Sequence, residues 1–297
     1  MDNFKQMCPL PQIPYHEIKL HKCLFEGNRS FVYKSSYQNK NFITKLYFMK
    51  DDSYDSMLYQ LRIAKAVNDC KYIIHTYGVT ISEKDNIIGI MMEDLNGEDV
   101  YDYLQTEKFW EQSNNENKDY TVYNSAFKTY YKYIMKYEDK LHLIKQMVES
   151  IHELHSLNII HNDIKLQNFI VYKDNKNILK VKCIDLECCY FIDHNNPKIY
   201  SKNVLGTDGY MNLSSSRGLI SKKTDVYSLG VSMVEVMNGD IWSGDEETYE
   251  DSRKNVLYFL KQIHKNDENI GKIIKRCIST DEKKIPMIQT VFKNILY

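Results

Sequence analysis

The spacing of apolar residues along this 297-residue chain changes once, near Met92. Before that point they fall in short runs of the strand type, interrupted by one helical stretch. Beyond it they recur at three- and four-residue intervals, the period of amphipathic helices. A strand-rich beginning followed by a helical remainder indicates an α+β fold of two lobes. The predicted strands are Ile18–Leu24, Ser30–Tyr37, Phe42–Phe48, Ile73–Ile81 and Ile87–Met92, and the predicted helices are Ser56–Val67, Asp139–Ser156, Asp225–Val236 and Lys254–His264.

A polar segment separates the two patterns, at about residues 106–137, and it is rich in Asn, Tyr and Lys. Its first half predicts a surface insertion, and its second half, FKTYYKYIMKY, predicts a helix with a solvated face rather than a nucleic-acid surface. We therefore expect an N-terminal tail at 1–14, a small β-rich lobe at 15–94 and a larger helical lobe at 95–297.

Charge and cysteine usage narrow the class of protein. The 39 Lys and Arg residues against 40 Asp and Glu residues give no bulk electrostatic reason to bind nucleic acid or an anionic membrane. No apolar run approaches the roughly 20 residues that span a bilayer, and the start of the chain lacks a secretory signal pattern. The seven scattered cysteines form no C-x-x-C pair, so we expect buried free thiols and an intracellular, cytoplasmic, reducing compartment.

One polar loop carries a pattern suited to phosphoryl transfer. Asp163, Lys165 and Asn168 lie two and three residues apart between apolar runs, and Asp185 ends a later predicted strand. Transfer of a phosphoryl group needs a carboxylate to orient the attacking hydroxyl, an amide and a second carboxylate for Mg²⁺, and a cation to screen charge. These four side chains match that requirement.

The segment His161–Asn168 resembles the H-R-D-x-K-x-x-N loop of eukaryotic-type protein kinases, and Asp185-Leu-Glu187 lies where that family has D-F-G. Other matches follow in family order over about residues 18–296. They are FITK ending at Lys45, the hinge-like MEDL of Met92–Leu95, GTDGY of Gly206–Tyr210 and TDVYSLG of Thr224–Gly230.

The resemblance implies a bilobal kinase fold, ATP and Mg²⁺ as cofactors, and a protein substrate. It makes Asp163 the base, Lys165 the group that steadies the γ-phosphate, and Asn168 and Asp185 the Mg²⁺ ligands. Lys165 together with Thr207 resembles the Ser/Thr-directed branch. The nucleotide-binding residues implied are Lys45, Gly27, Val32, Glu93, Leu95, Asp99, Ile170 and Asp185.

The nucleotide-binding part departs from the family pattern. Phe25 and Ser30 replace two glycines of the phosphate-gripping loop, where a missing Cβ lets the backbone approach phosphate. Arg29 in that loop is either a phosphate contact or a solvated tip. Ile43 replaces the alanine expected above the adenine. Gln60 lies where a helix normally offers a Glu to the ATP-binding lysine, and an amide lacks the charge-assisted part of that bond.

Glu187 replaces the glycine of D-F-G. One hypothesis is that it supplies the missing carboxylate to Lys45 or to Mg²⁺, and the alternative is a solvent-facing acid. Asn162 replaces the arginine that usually receives an activation-segment phosphate, so we expect this segment to order without phosphorylation. Ser214 and Ile285 stand where the family has a Glu–Arg ion pair, and losing both partners together avoids an orphaned charge.

Three functions remain open at this stage. The first is an ATP- and Mg²⁺-dependent serine/threonine-protein kinase. The second is a pseudokinase that acts as a scaffold, decoy or regulator, which the altered nucleotide-binding residues favour. The third is a small-molecule phosphotransferase of the aminoglycoside or choline kinase type, with which Ile184-Asp-Leu-Glu187 also agrees. The acidic run Asp240–Asp251 is either a basic-peptide contact or a solvated helix start. Oligomeric state and substrate stay open.

Overall fold

A computed structural model describes residues 2–27, 30–49, 53–106, 110–113, 121–124, 129–239, 241–242 and 249–296. The chain divides into two compact units, Met1–Gly97 and Glu98–Tyr297. The ranges 1–14, 15–94 and 95–297 expected from the sequence remain predictions. Among the described residues, no helix is both long and apolar enough to cross a membrane.

The first unit is built on one six-stranded sheet. Strands β2, β3, β4 and β6 are antiparallel neighbours, and the short β1 joins the far edge parallel to β5. The strand order is β1-β5-β6-β4-β3-β2. Its elements are α1 (Asp2–Met7), β1 (Gln12–Pro14), β2 (Lys19–Glu26), β3 (Ser30–Tyr37), β4 (Lys40–Phe48), α2 (Tyr54–Ala66), β5 (Thr76–Ser82) and β6 (Ile87–Glu93).

The core of the first unit comes from the two periodicities read in the sequence. Along β4 the buried positions alternate at Phe42, Thr44 and Leu46, as the two-residue period of a strand requires. Leu58 and Leu61 of α2 are buried three residues apart, on one face of the helix.

The second unit is mostly helical, and α4 and α5 supply most of its fully buried side chains. Leu143, Met147 and Ile151 of α4 are fully buried, as is Tyr227 of α5. The α+β class expected from the apolar pattern is thereby confirmed. The elements are β7 (Glu98–Asp99), α3 (Val100–Gln105), β8 (Trp110–Ser113), β9 (Thr121–Asn124), β10 (Thr129–Tyr133), α4 (Tyr137–Ser156), β11 (Ile159–Ile160), β12 (Phe169–Lys173), β13 (Leu179–Cys183), β14 (Tyr190–Phe191), β15 (Lys198–Tyr200), β16 (Leu219–Ser221), α5 (Lys222–Asn238), α6 (Tyr249–Asn266), α7 (Glu268–Cys277) and α8 (Ile288–Leu296).

The helix expected in the second half of the insertion is wrong. Thr129–Tyr133 is instead the central strand of a three-stranded antiparallel sheet, in the order β8-β10-β9. Tyr and Thr have high strand propensity, and the helical period begins only at Tyr137. Residues 107–109, 114–120 and 125–128 of the insertion lie outside the described residues.

Two elements at the start of the chain were not predicted. The α1 helix buries Phe4 against the ring of Tyr54 on α2, with 5.6 Å between ring centroids. The short strand β1 follows, and the carbonyl of Pro11 accepts a hydrogen bond from Val79 N at 2.8 Å. Residues 2–14 therefore contribute buried side chains and a backbone hydrogen bond to the first unit.

The cysteine prediction holds for three of the seven thiols. Cys183, Cys189 and Cys277 are buried free thiols, whereas Cys23 is exposed.

Candidate active site

The loop that carries Asp163 is anchored by apolar side chains on both sides. It follows the buried strand β11, and a 3-10 turn at Leu166–Asn168 leads it into β12. Ile164 and Leu166 are buried, and Asp163 and Lys165, which alternate with them along the chain, are only partly buried. Those two side chains keep 13% and 24% exposure, which leaves them accessible to a reactant.

Asp225, on the first turn of α5, holds the backbone of this loop. Its Oδ2 accepts from His161 N at 2.8 Å and its Oδ1 from Asn162 N at 2.8 Å. Nε2 of His155 lies 2.9 Å from Oδ2, and the aspartate is 1% exposed. Asn162 has a φ of 66°, a conformation that Asn tolerates better than most residues. Three donors thus satisfy a buried carboxylate and fix the loop.

His161 links the Asp163 loop to the segment before Asp185. Its Nδ1 lies 3.3 Å from the N–H of Asp163, which donates, so we assign the ring proton to Nε2. Nε2 then donates to the carbonyl of Ile184 at 3.1 Å. The ring is fully buried, so its role is to position the loop.

Asp163, Lys165, Asn168 and Thr207 form one connected hydrogen-bond group, which we call the catalytic-loop network. Thr207 Oγ1 donates to Asp163 Oδ1 at 2.7 Å and accepts from Lys165 Nζ at 2.8 Å. Lys165 Nζ lies 3.0 Å from Asp163 Oδ2. Asn168 Nδ2 donates to the Asp163 carbonyl at 2.7 Å and to its Oδ2 at 3.1 Å. The carboxylate is therefore held on both oxygens.

Asp185 follows β13 in the left-handed region, with φ 59° and ψ 73°. A 3-10 turn at Leu186–Cys188 comes next. Burial, together with the carboxylates of Asp163, Asp185 and Glu187, raises the pKa of the Cys188 thiol to about 12. The exposed Glu187 therefore contributes to the same negative region as the two aspartates.

Asn168 and Asp185 offer oxygen atoms suited to Mg²⁺. Because Nδ2 of Asn168 is committed to Asp163, its Oδ1 remains as the acceptor, and hard cations prefer oxygen. Among the described residues, no group of three or more His, Cys, Asp or Glu side chains is arranged to hold a metal. A Mg²⁺ ion here would need further ligands from phosphate and water, which is its usual habit.

In the first unit, Lys45 of β4 pairs with Val32 of β3 in the sheet register, so these two predicted residues lie side by side. Gly27 closes the β2–β3 hairpin, with its N–H donating to the carbonyl of Ser30 at 2.9 Å. A Cβ at Gly27 would lie 2.7 Å from the ring of Phe25, which is itself 58% exposed. Arg29 lies outside the described residues.

The amide oxygen of Gln60 does not take the place of the missing glutamate as an acceptor. Its Oε1 is buried without a hydrogen-bond partner among the described residues. The ammonium of Lys45 lies 5.7 Å from the ring centroid of Tyr47, a cation–π distance.

Glu93 and Leu95, the predicted hinge residues, lie at the end of the first unit. Glu93 N donates to the carbonyl of His75 at 3.0 Å, and its Oε1 accepts from His75 N at 2.8 Å. The backbone N–H and the carboxylate of Glu93 are thus both bonded to His75, the residue before β5. Lys34 Nζ reaches Asn96 Oδ1 at 3.2 Å, which ties the following turn to β3.

Asp99 and Ile170 lie opposite each other on β7 and β12 in the second unit. Asp99 caps α3 by accepting from Asp102 N at 2.9 Å, and burial raises the pKa of its carboxyl. This capping role was missed, although Asp three residues before another acid at a helix start is a recognisable signal. His155 was missed as well, because it reads simply as part of a helix face.

Comparison with known proteins decides the family. Residues 19–295 match the model of the protein kinase domain. The chain belongs to the protein kinase family. It is similar to Wall-associated receptor kinase-like 4 of Arabidopsis thaliana, with 30% identity over 54% of this chain and 23% of that protein. A probable serine/threonine-protein kinase of Clostridium perfringens is 22% identical over 76% of this chain and 30% of its own length.

Serine/threonine-protein kinase Pkn1 of Myxococcus xanthus is 27% identical over 35% of this chain and 15% of its own length. The chain thus spans less than a third of each of these three relatives. The resemblance read from the sequence motifs is confirmed at the level of the family.

Proposed function

We propose that this chain is an ATP- and Mg²⁺-dependent kinase that transfers the γ-phosphate to Ser or Thr of a protein substrate. The observation that carries the proposal is the catalytic-loop network, in which Asp163 is fixed on both carboxylate oxygens beside a lysine. A carboxylate held this way can orient a hydroxyl and accept its proton without reorganising.

Each residue has a distinct task in this mechanism. Asp163 accepts the proton of the substrate hydroxyl, and Lys165, whose Nζ lies 3.0 Å from Asp163 Oδ2, screens charge on the transferred group. Thr207 bridges the two side chains and keeps their separation constant. Mg²⁺ held by Asn168 and Asp185 would neutralise charge on the phosphates of ATP. The family pattern implies that Lys45, Val32 and Ile170 would lie next to the bound ATP.

The end of the predicted activation segment is held by contacts that need no phosphate. Strand β15 pairs with β16 through Lys198–Tyr200 and Leu219–Ser221. Nδ2 of Asn162 donates to the carbonyl of Leu205 at 3.4 Å. These contacts support the expectation that the segment orders without phosphorylation.

We therefore expect phosphatase treatment to leave the kinase rate unchanged. The measurement compares phosphate transfer to a generic protein substrate before and after treatment, with a phosphorylation-dependent kinase as the positive control. A large loss of rate after treatment would contradict the proposed independence.

The test of the main proposal uses radiolabelled ATP and generic protein substrates. Asp163→Asn and Asp185→Asn should abolish transfer, while Asp193→Asn, which removes an acid from a surface turn, should preserve it. Equal label in the wild type and in all three variants would contradict the proposal.

The second candidate is a pseudokinase that acts as a scaffold, decoy or regulator. It is favoured by the unpartnered Oε1 of Gln60 and by Phe25 in place of a loop glycine. Thermal unfolding with ATP, with and without Mg²⁺, separates the two. Stabilisation by nucleotide without transfer supports the pseudokinase, and Mg²⁺-dependent stabilisation with transfer supports the enzyme. Most of the acidic run at 240–251 lies outside the described residues, so its basic-peptide role stays a prediction.

A further inference from the structure

The outward side of α6 combines cationic and apolar side chains. All of its members are exposed, and they are Lys254, Leu257, Tyr258, Lys261 and Lys265. At 3.6 residues per turn these five residues fall within an arc of about 100°, and we call them the α6 stripe. None of them belongs to the catalytic-loop network, so the stripe has no role in the proposed phosphotransfer.

The apolar members of the α6 stripe do not hold the helix in its unit. The opposite side of α6 does so through Val256 and Ile263, which are 2% and 3% exposed. Leu257 and Tyr258 instead keep 36% and 45% exposure. The Tyr258 ring makes an edge contact with the ring of Phe259, with 5.2 Å between centroids. A ring restrained in this way loses less conformational entropy when it is buried by a partner.

The two helices α6 and α7 carry an excess of positive charge. From Tyr249 to Cys277 there are seven Lys and Arg residues against four Asp and Glu residues, whereas the whole chain has a net charge of −1. Three of the four acids are already engaged, because Asp251 pairs with Lys254 at 2.9 Å, Glu268 pairs with Lys272 at 2.6 Å, and Asp267 caps α7. The fourth is Glu250 at the start of α6.

The helix itself accounts for only part of this positive charge. A cation in the last turn faces the negative end of the helix, which explains Lys265. That effect falls off within one turn, so it does not extend to Lys261 or Lys254. Among the residues that the structure describes, Lys261 lies within ion-pair distance of no acid.

We propose that the α6 stripe docks a partner protein through an acidic segment that carries apolar side chains. Carboxylates of the partner would lie at Lys254 and Lys261, one turn before and one turn after the apolar pair. Its apolar side chains would pack on Leu257 and Tyr258. An apolar centre within a polar rim is the usual anatomy of a protein interface, and tyrosine is frequent among the residues that carry binding energy.

The apolar pair favours a protein over a membrane or a nucleic acid. A helix that lies on a membrane inserts a broad apolar face, but the broad apolar face of α6 is buried in its own unit. Nucleic acid would use the lysines for phosphate contacts and would leave Leu257 without an apolar partner.

Fluorescence anisotropy with a short labelled peptide tests the proposal. The probe is an amphipathic helix-forming peptide with Glu residues on both sides of a Leu stripe. One control peptide has Lys in place of every Glu, and the other has Ser in place of every Leu. The Glu–Leu peptide should bind, and its affinity should fall as salt is added, because salt screens exposed charge pairs. The Lys peptide should not bind, since like-charged surfaces repel.

Two variants of the α6 stripe and two matched controls locate the binding. Tyr258→Ala should weaken binding of the Glu–Leu peptide about tenfold, as the loss of an interface tyrosine does. Lys261→Glu should weaken it about threefold to tenfold by placing like charges together. Tyr200→Ala and Lys176→Glu make the same changes at exposed positions of other elements and should leave the affinity unchanged.

Amide NMR of the wild-type chain gives an answer even if a variant does not fold. The Glu–Leu peptide should shift the amide resonances of residues 254–265. No binding, equal binding of the Ser peptide, or unchanged affinity in both Tyr258→Ala and Lys261→Glu would overturn the proposal. Tighter binding of an RNA oligonucleotide or of phosphatidylserine vesicles at α6 would overturn it too, as would self-association of the chain that Lys261→Glu abolishes.

Discussion

Thr207 is the residue on which the geometry of the catalytic-loop network depends most directly. Its single hydroxyl donates to Asp163 and accepts from Lys165, so one oxygen atom fixes the relative positions of the Asp163 carboxylate and the Lys165 ammonium. A methyl group in its place would leave both neighbours without that bond. Asp163 would keep only its contacts to Lys165 and Asn168.

Replacing Thr207 with Val, of similar shape but without the hydroxyl, should lower kcat about tenfold to a hundredfold, the effect of losing hydrogen bonds to charged groups. Thr207→Ser keeps the hydroxyl and should retain most of the rate. Steady-state kinetics on a protein substrate, with circular dichroism to confirm folding, makes the comparison. Equal rates for the two variants would show that the bridge is dispensable.

At the scale of elements, α4 and α5 are joined at a point where a charge is buried. Lys140 of α4 is 9% exposed and donates to the carbonyl of Met237 at the end of α5, where a cation also faces the negative end of the helix. Burial lowers the pKa of Lys140 to about 8 from its usual value near 10.5. The contact therefore satisfies a helix end while keeping a costly charge out of water.

This burial predicts a pH dependence of stability. Between pH 8 and 10 the unfolded chain keeps the proton of Lys140 and the folded chain releases it, so this group makes the free energy of unfolding rise with pH. Its contribution is at most about 3 kcal/mol over its full window. The buried thiols of Cys188 and Cys277, whose pKa values are raised to about 12, oppose it above about pH 9, and Tyr137, whose pKa is also raised to about 12, opposes it above about pH 10.

Urea unfolding of the wild type and of Lys140→Met at pH 7, 8, 9 and 10 measures this effect. The free energy of unfolding of the wild type, relative to that of Lys140→Met, should increase from pH 8 to pH 10. Lys145→Met serves as a control from the same helix. Parallel curves for the wild type and Lys140→Met would contradict the assignment.

The N-terminal α1 and β1 stabilise the first unit through apolar burial. Phe4 and Leu10 are 3% and 4% exposed, and side chains of this kind contribute about 1.5–3 kcal/mol each when fully buried. Gly78 permits the close approach of this segment, since a Cβ there would lie 2.5 Å from the carbonyl oxygen of Pro11.

Deleting residues 1–10 should therefore lower the free energy of unfolding by about 3 kcal/mol or more. Lys5→Gln, which breaks the exposed pair with Glu83, should change it little. Urea unfolding with limited proteolysis at α2 provides the measurement, and an unchanged transition after deletion would show that the segment is dispensable.

At the scale of the whole molecule, local pattern predicted the elements that have one clear period. The strand Ser30–Tyr37 was predicted with its observed bounds, and Asp139–Ser156 falls within α4. The helix predicted over Phe127–Tyr137 is wrong because Tyr and Lys occur in both helices and strands. Pairing with β8 and β9 makes Thr129–Tyr133 a strand. The segment 2–14 was missed because its elements are short and depend on burial of Phe4 and Leu10 against distant parts of the chain.

The candidate site divides in the same way. The motifs located Asp163, Lys165, Asn168 and Asp185 because their spacing is local. The three bonds to Asp225 have no local signature, since they join residues more than 60 positions apart. Whether Gln60 Oε1 has a hydrogen-bond partner depends on packing alone, so no sequence pattern predicts it.

The buried carboxylate of Asp225 has a consequence for hydrogen exchange. The amides of His161 and Asn162 belong to no helix or sheet ladder, yet they donate to an acceptor in the interior. We expect them to exchange as slowly as core amides of α5, because opening them requires α5 to separate from the loop. Fast exchange in a native-state NMR series, at the rate of other loop amides, would contradict this. If the expectation holds, the loop proposed to carry the chemistry unfolds only together with the packing of α5.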